Sequence, residues 1–298
     1  MFRHRSAAIL LAALALLAGC QSLPPPERHQ APSSLKLDLP FVPQDDYQCG
    51  PAALKMALSG VGVSEKLDTL VSEVWLPERK GTLAMSLNNA SRERGIMPYP
   101  VNNPDALFAE LEQGSAVLVM QNLGLPRWPQ WHFAVVIGYH DSGQQIILHS
   151  DTREATTMRW NRFIRTWARA DYWAIVLATP DRLPASATPA GLFRHITPLP
   201  DTHEYWSQAS VRFPDSGLLW FANGNSLWEH GDAEGSLQAF QRSTELEPQR
   251  AAAWTNLIYV LEQQGKKDAA IRARCDAIAL GHRLDDNSMM QSGCDHPN

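Results

Sequence analysis

An excess of positive charge is missing from this chain. Its 26 lysines and arginines stand against 31 acidic residues, for a formal net charge of −5. With no basic stripe either, nucleic acid is not expected as a partner. Cysteine is scarce. No two of the four cysteines share a C-x-x-C spacing, so they do not read as a metal cluster, and no metal or organic cofactor is expected. A transmembrane bundle and a nucleotide-binding motif are also lacking. What the chain does have is 44% hydrophobic content over 298 residues, enough for two ordinary globular cores.

Residues 1–19 read as a targeting segment. Arg3 and Arg5 precede an apolar run from Ala7 to Ala18 that is too short to span a bilayer. It ends in Leu17-Ala18-Gly19-Cys20, which resembles the lipobox of bacterial lipoproteins. That resemblance implies cleavage before Cys20 and lipid on its sulfur, an N-terminal membrane anchor. With Gln21 rather than Asp next in line, it points to the outer membrane, facing the periplasm. The rival to the lipobox reading is an ordinary secretory signal with a chance cysteine. Residues 20–35 are rich in Pro, Gln and Ser with little to bury, the composition of a disordered tether.

The chain's organising stretch is Tyr47-Gln48-Cys49-Gly50-Pro51-Ala52-Ala53-Leu54. Pro51 suits a first helical turn, Ala52 to Leu58 are helix formers, and Gly60 is a stop signal. Cys49 is thus expected at the positive end of a helix dipole, a setting that favours thiolate over thiol. The plain alternative is a cysteine that fills space.

Downstream, helices are expected from Ser64, over Leu83 to Arg94, and from Asn103-Pro104 to Gly114. The period then changes. Ala116 to Met120, Phe133 to Tyr139, Ile146 to Leu148 and Tyr172 to Ala178 read as strands, with a short helix over Trp160 to Trp167. A further strand is expected over Leu37 to Val42. Helices followed by an antiparallel sheet give an α+β class.

A cysteine nucleophile needs a base and a group that orients the base. His132 opens a strand, and Asp151 follows the strand paired with it, so a hairpin brings the two together. His140 lies beside the turn at the far end. His149, next to Asp151, is expected at a strand edge in solvent. The loop Gly124 to Trp131, with two tryptophans and two prolines, either walls a substrate cleft or simply packs on its own domain.

Gln44, then Cys49-Gly50-Pro51-Ala52-Ala53-Leu54, then His132-Phe133-Ala134-Val135-Val136, then Asp151 resemble the bacteriocin-processing, double-glycine leader cysteine peptidases, which are papain-like. The resemblance covers about Pro40 to Pro180. It implies that Cys49 attacks a carbonyl, His132 carries the proton, Asp151 holds the imidazole, and an upstream glutamine donates to the oxyanion. Gln44 matches that glutamine, and Gln48 is the lesser candidate. Double-glycine specificity is not carried over.

The domain is placed at residues 36–180, and 181–201, rich in Pro, Ala and Thr, is read as a linker. Over 202–290 a period of 34 residues recurs. Trp220 returns as Trp254, Leu227 as Leu261, Gly231 as Gly265 and Pro214 as Pro248. This is similar to the tetratricopeptide repeat, implying an all-α array that either binds a peptide or partner protein or caps its neighbour. Residues 291–298 form a tail. In an oxidising compartment Cys275 and Cys294 are a possible disulfide, worth about 3 kcal/mol for a loop of that length.

Together these readings describe a membrane-anchored periplasmic cysteine peptidase acting on a peptide or protein. One rival is a non-catalytic scaffold that binds peptides in a peptidase-derived cleft. The other is a peptidoglycan amidase or endopeptidase.

Overall fold

The computed structural model describes residues 24–27, 31–44, 48–283 and 294. The expected signal peptide, the expected lipidation site Cys20 and all of the tail but Cys294 lie outside the described residues. In chain order the elements are β1 (Leu35–Lys36), α1 (Cys49–Ser59), α2 (Leu67–Val74), β2 (Trp75–Leu76), β3 (Gly81–Thr82), α3 (Ala84–Glu93), β4 (Met97–Pro100), α4 (Pro104–Glu112), β5 (Val117–Asn122), β6 (Trp131–His140), β7 (Gln145–Ser150), β8 (Arg153–Arg159), α5 (Trp160–Ala168) and β9 (Ala174–Ala178). The remaining elements are helical: α6 (Pro189–Ile196), α7 (His203–Arg212), α8 (Gly217–Glu229), α9 (Ala233–Leu246), α10 (Ala251–Gln263) and α11 (Lys267–Ala279). The fold is α+β, with an antiparallel sheet and then an all-helical region.

The main sheet has the order β4–β9–β5–β6–β7–β8, with β1 added against β6. Only Leu35 and Lys36 make that first strand, opposite Tyr139 and Gly138. The strand expected over Leu37 to Val42 is therefore two residues long and set earlier. Elements absent from the sequence reading include β8 and β4. β8, Arg-Glu-Ala-Thr-Thr-Met-Arg, is largely exposed and carries no apolar alternation to betray it. β4 contains Pro98 and Pro100, and proline argues against strand on local grounds.

Two compact units share the chain. One runs up to Leu87 and takes in Pro100–Val176; the other takes Asn88–Tyr99 and everything from Leu177 on. In the first, α1 is the core helix. Its residues from Gly50 to Ala53, with Leu54, Met56, Ala57 and Leu58, are all buried. It packs against β6, α2 and β3. Each fully buried Leu or Met there contributes about 1.5–3 kcal/mol.

In the second unit the helix α6 occupies the middle of the expected linker, with Thr188 accepting from the Gly191 N–H as its cap. The hydroxyl of Tyr205 on α7 accepts from the Met97 N–H at 3.2 Å and lies 2.7 Å from the Ala178 carbonyl oxygen. Burial holds that phenol neutral, well above its ordinary range. The period in sequence is also a period in bonding. Trp220 donates its indole N–H to Pro214 O at 2.9 Å, and Trp254 donates to Pro248 O at 2.9 Å. Gly231 and Gly265 turn the chain between helices at φ 81° and 71°, a region open to glycine at little cost. Cys275 on α11 is disulfide-bonded to Cys294.

Candidate active site

α1 begins on Cys49 itself, with Gln48 as a cap that makes no side-chain capping bond. A close approach fixes this first turn. A Cβ on Gly50 would stand 2.5 Å from the side chain of Thr82, so only glycine lets α1 lie against β3. The thiol is half-buried and not disulfide-bonded.

His132 comes from the start of β6, where Gln121 and His132 face each other across the β5–β6 ladder. Phe133 follows it, and the Phe133 backbone N–H donates towards the Cys49 sulfur. The strand that carries the imidazole therefore also binds the thiol. Asp151 sits in the tight turn from β7 to β8, between the paired Ser150 and Arg153, at φ 61°. Aspartate tolerates that left-handed conformation better than most residues. Its charge reaches both partners, pushing the Cys49 thiol up and the His132 imidazole up. The structure thus gathers Cys49, His132 and Asp151 from α1, β6 and the β7–β8 turn.

The dominant influence on both reacting groups is nevertheless burial. Desolvation raises the Cys49 thiol above its ordinary value, against the backbone N–H groups of Phe133, Gly50 and Cys49 that pull it down. Desolvation likewise lowers the His132 imidazole, and Arg153 lowers it further. This corrects the expectation of a resting thiolate. The helix start does supply N–H donors, but removing the sulfur from water outweighs them. Burial thus shifts both groups towards their neutral forms.

Gln44 is buried, and its backbone N–H donates to Asp151 O at 3.3 Å. Its side-chain Nε2 is buried without a hydrogen-bond partner among the described residues. Such an unmatched donor costs about 1–3 kcal/mol until something accepts from it. Gln48, the other candidate, is half-buried at the helix cap.

His149 is corrected. It is 1% exposed, not at a solvent edge. Its Nδ1 accepts from the Ala155 N–H at 3.1 Å, which leaves Nε2–H to donate to Leu39 O at 2.9 Å. Both nitrogens are committed to the backbone, so it is a structural histidine. His140 stands at the other end of β6, opposite Gln145.

Ser150 was not singled out in the sequence. It is buried, and its Oγ lies 2.8 Å from His132 Nε2. A serine carries no motif, and only the strand register makes it a neighbour of the histidine. Thr82 was missed for the same reason; its Oγ1 is buried beside the first turn of α1, with no hydrogen-bond partner among the described residues.

A cleft of about 680 Å³ opens on the thiol. Cys49, Arg79, Lys80, Leu83, Trp131 and Phe133 are among the residues that line it. The tryptophan loop divides its roles. Trp131 walls the cleft, whereas Trp128 is 67% exposed with the Arg127 guanidinium over its ring.

Comparison with known proteins finds similarity in this part of the chain. Residues 36–175 match the model of the Peptidase_C39 like family. Three solved structures are similar to about half of the chain. A protein from Bacillus anthracis described as a C39-like peptidase has 15% identity and a TM-score of 0.41, over 49% of this chain and 98% of its own. A double glycine motif protease from an AMS/PCAT transporter, in complex with the leader peptide, has 18% identity and a TM-score of 0.36, over 49% and 95%. The peptidase domain of Streptococcus ComA has 25% identity and a TM-score of 0.37, over 47% and 96%. The comparison with curated proteins finds no match. Residues 36–175 thus resemble a C39-like peptidase domain, and a helical region follows them.

Proposed function

We propose that the first unit is a cysteine peptidase that hydrolyses a peptide bond through Cys49, His132 and Asp151. One observation carries this reading: the Phe133 N–H holds the Cys49 sulfur beside the base-bearing strand, with Asp151 acting electrostatically on both groups. With Nε2–H donated to Ser150 Oγ, the other ring nitrogen of His132 is left as the base. It takes the thiol proton as sulfur attacks the carbonyl carbon, so that no resting thiolate is needed. The oxyanion accepts from the unmatched Gln44 Nε2. The imidazolium returns its proton to the leaving amine, whose C–N bond breaks to leave a thioester on Cys49. Water, deprotonated by His132, then releases the acid and restores the thiol.

The finer assignments belong to the same proposal. Lipid on Cys20 would hold the domain at the outer membrane, facing the periplasm. The helical region, by its 34-residue bonding period, would be a tetratricopeptide array offering a surface to a protein partner.

The test is a peptide-library digest read by mass spectrometry, with Cys49→Ala as control. Hydrolysis by the native chain, a thioester adduct on the Cys49 peptide, and loss of both in the variant with an unchanged circular dichroism spectrum are expected. Hydrolysis that persists in Cys49→Ala overturns the nucleophile. Peptide binding with no turnover in either protein leaves the scaffold reading in its place.

A further inference from the structure

We infer that the β2–β3 hairpin grips the substrate's main chain: the Thr82 hydroxyl donates to a peptide carbonyl oxygen next to the bond presented to Cys49. This role during hydrolysis rests on the cysteine-peptidase reading; the same role in binding does not.

β2 and β3 form a two-stranded sheet of their own, with Trp75 opposite Thr82 and Leu76 opposite Gly81. Between them Pro77–Arg79 make a single 3₁₀ turn, and Lys80 closes it in the left-handed region at φ 46°. That reversal delivers Thr82 to the start of α1. A Cβ on Gly50 would lie 2.5 Å from both Cβ and Oγ1 of Thr82, so the threonine stands against the residue that follows the nucleophile. Thr82 also lines the cleft of about 680 Å³, together with Cys49, Gly81 and Phe133.

The hydroxyl arrives there unmatched. Thr82 Oγ1 is buried and has no hydrogen-bond partner among the described residues. Residues directly opposite in an antiparallel pair share one face. Across from Thr82, the indole Nε1 of Trp75 is likewise buried and unmatched among the described residues. An indole nitrogen only donates, so what this hairpin lacks is an acceptor. Buried donors are destabilising until an acceptor arrives, and the cleft is where one can enter. The side chains of Leu83, Trp131 and Phe133 on the same wall supply none. A peptide carries an acceptor at every residue, whatever its side chains, and an extended chain spaces them about 3.3 Å apart. With one carbonyl carbon at the Cys49 sulfur, the next carbonyl runs along the wall that Thr82 helps to form. Gln44 serves an oxyanion that exists only during reaction. Thr82 serves a carbonyl present in substrate and transition state alike, so its loss raises KM and leaves kcat nearly alone.

The experiment exchanges peptide carbonyls one at a time for thiocarbonyls, which accept hydrogen bonds poorly, at every position except the cleaved bond. The peptide is the best substrate from the library digest or, without turnover, the library peptide bound best by Cys49→Ala. Turnover is read by mass spectrometry on the native chain, Thr82→Val and Thr82→Ser. Binding is read by anisotropy of the labelled peptide on Cys49→Ala with and without Thr82→Val. Valine keeps the shape against Gly50 and removes only the hydroxyl; serine keeps the hydroxyl. A rise in KM or Kd of roughly fivefold is expected in Thr82→Val, with kcat nearly unchanged, Tm not lowered and Thr82→Ser close to native. One thiocarbonyl next to the bond should cost the native chain a similar factor and cost Thr82→Val nothing more. Equal KM in Thr82→Val overturns the role of Thr82 and leaves the peptidase reading standing. Thr82-dependent binding without turnover supports that role while the peptidase reading fails. Should Thr82→Val not fold, the scan on the native chain decides, and thiocarbonyls that all bind alike overturn the role. A chain that neither binds nor cleaves any peptide overturns both.

Discussion

The two units differ in what their buried polar groups stand beside. In the helical unit the repeat's polar side chains close locally on the backbone. Ser236 donates to Gly224 O at 2.9 Å and Ser243 to Gly217 O at 2.8 Å, while Trp220 and Trp254 make the same indole-to-carbonyl bond one period apart. In the sheet unit, polar groups around Cys49 are buried and left short of partners. Gln44 Nε2 and Thr82 Oγ1 have none among the described residues, and burial shifts both Cys49 and His132 towards their neutral forms. The helical unit also leaves buried atoms unmatched among the described residues, Asn223 Oδ1, Gln264 Oε1 and Arg274 Nε among them, but Gln44 and Thr82 adjoin Asp151 and the first turn of α1. A region that withholds donors at one point is built to receive something there.

The sharpest way to break this contrast is Gln44→Ala. If the unmatched amide waits for an oxyanion, kcat falls by about 10²–10³ with KM little changed, measured on any cleaved peptide. Folding stability should not fall, because the lost donor had no partner; a large drop in Tm with unchanged kcat would make Gln44 merely structural. Ser150→Ala is a smaller step. Loss of the bond to His132 Nε2 should lower kcat by roughly fivefold and leave KM alone. Restoration of the rate in Ser150→Thr would mark the hydroxyl as the positioning group.

Asp151→Asn sharpens the electrostatic side of the comparison. Asp151 raises both the imidazole and the thiol, so its neutralisation lowers both. The acidic limb of kcat/KM, where His132 must lose its proton, should move to lower pH. The alkaline limb, where the site loses the proton that the leaving amine needs, should move down with it. Limbs that stay in place would remove Asp151 from the site's electrostatics.

The smallest effect is expected in the helical unit. Trp254→Phe deletes one indole donor to Pro248 O and should cost about 1 kcal/mol in denaturant unfolding. Peptide turnover should be unaltered. A change in kcat there would mean that the helical unit acts on the chemistry.

Several elements were legible before any coordinates. The helix over α1, the helix start at Asn103-Pro104 and the strands around Val117, Phe133 and Ile146 each carry strong local signals of capping, proline placement or apolar runs. Asn103 indeed caps α4, accepting from the Ala106 N–H at 2.8 Å. The repeat in the C-terminal half was legible as a period. The polar strand β8 and the proline-bearing strand β4 were not, because pairing with neighbours, rather than propensity, makes them strands. His149 misled for a related reason: its polarity suggests solvent, while two backbone partners distant in sequence make its burial affordable.

By itself the sequence determined which residue types are available and in what order, since helix formation, capping and a 34-residue period are local properties. It put a cysteine at a helix start, a histidine at a strand start and an aspartate after the paired strand. Only the tertiary structure decided their electrical state and their company. Desolvation, the reach of Ser150 to the imidazole, the unmatched amide of Gln44 and the Thr82 hydroxyl beside α1 all depend on which segments meet. Burial and register are sums over distant parts of the chain, and no local pattern carries them.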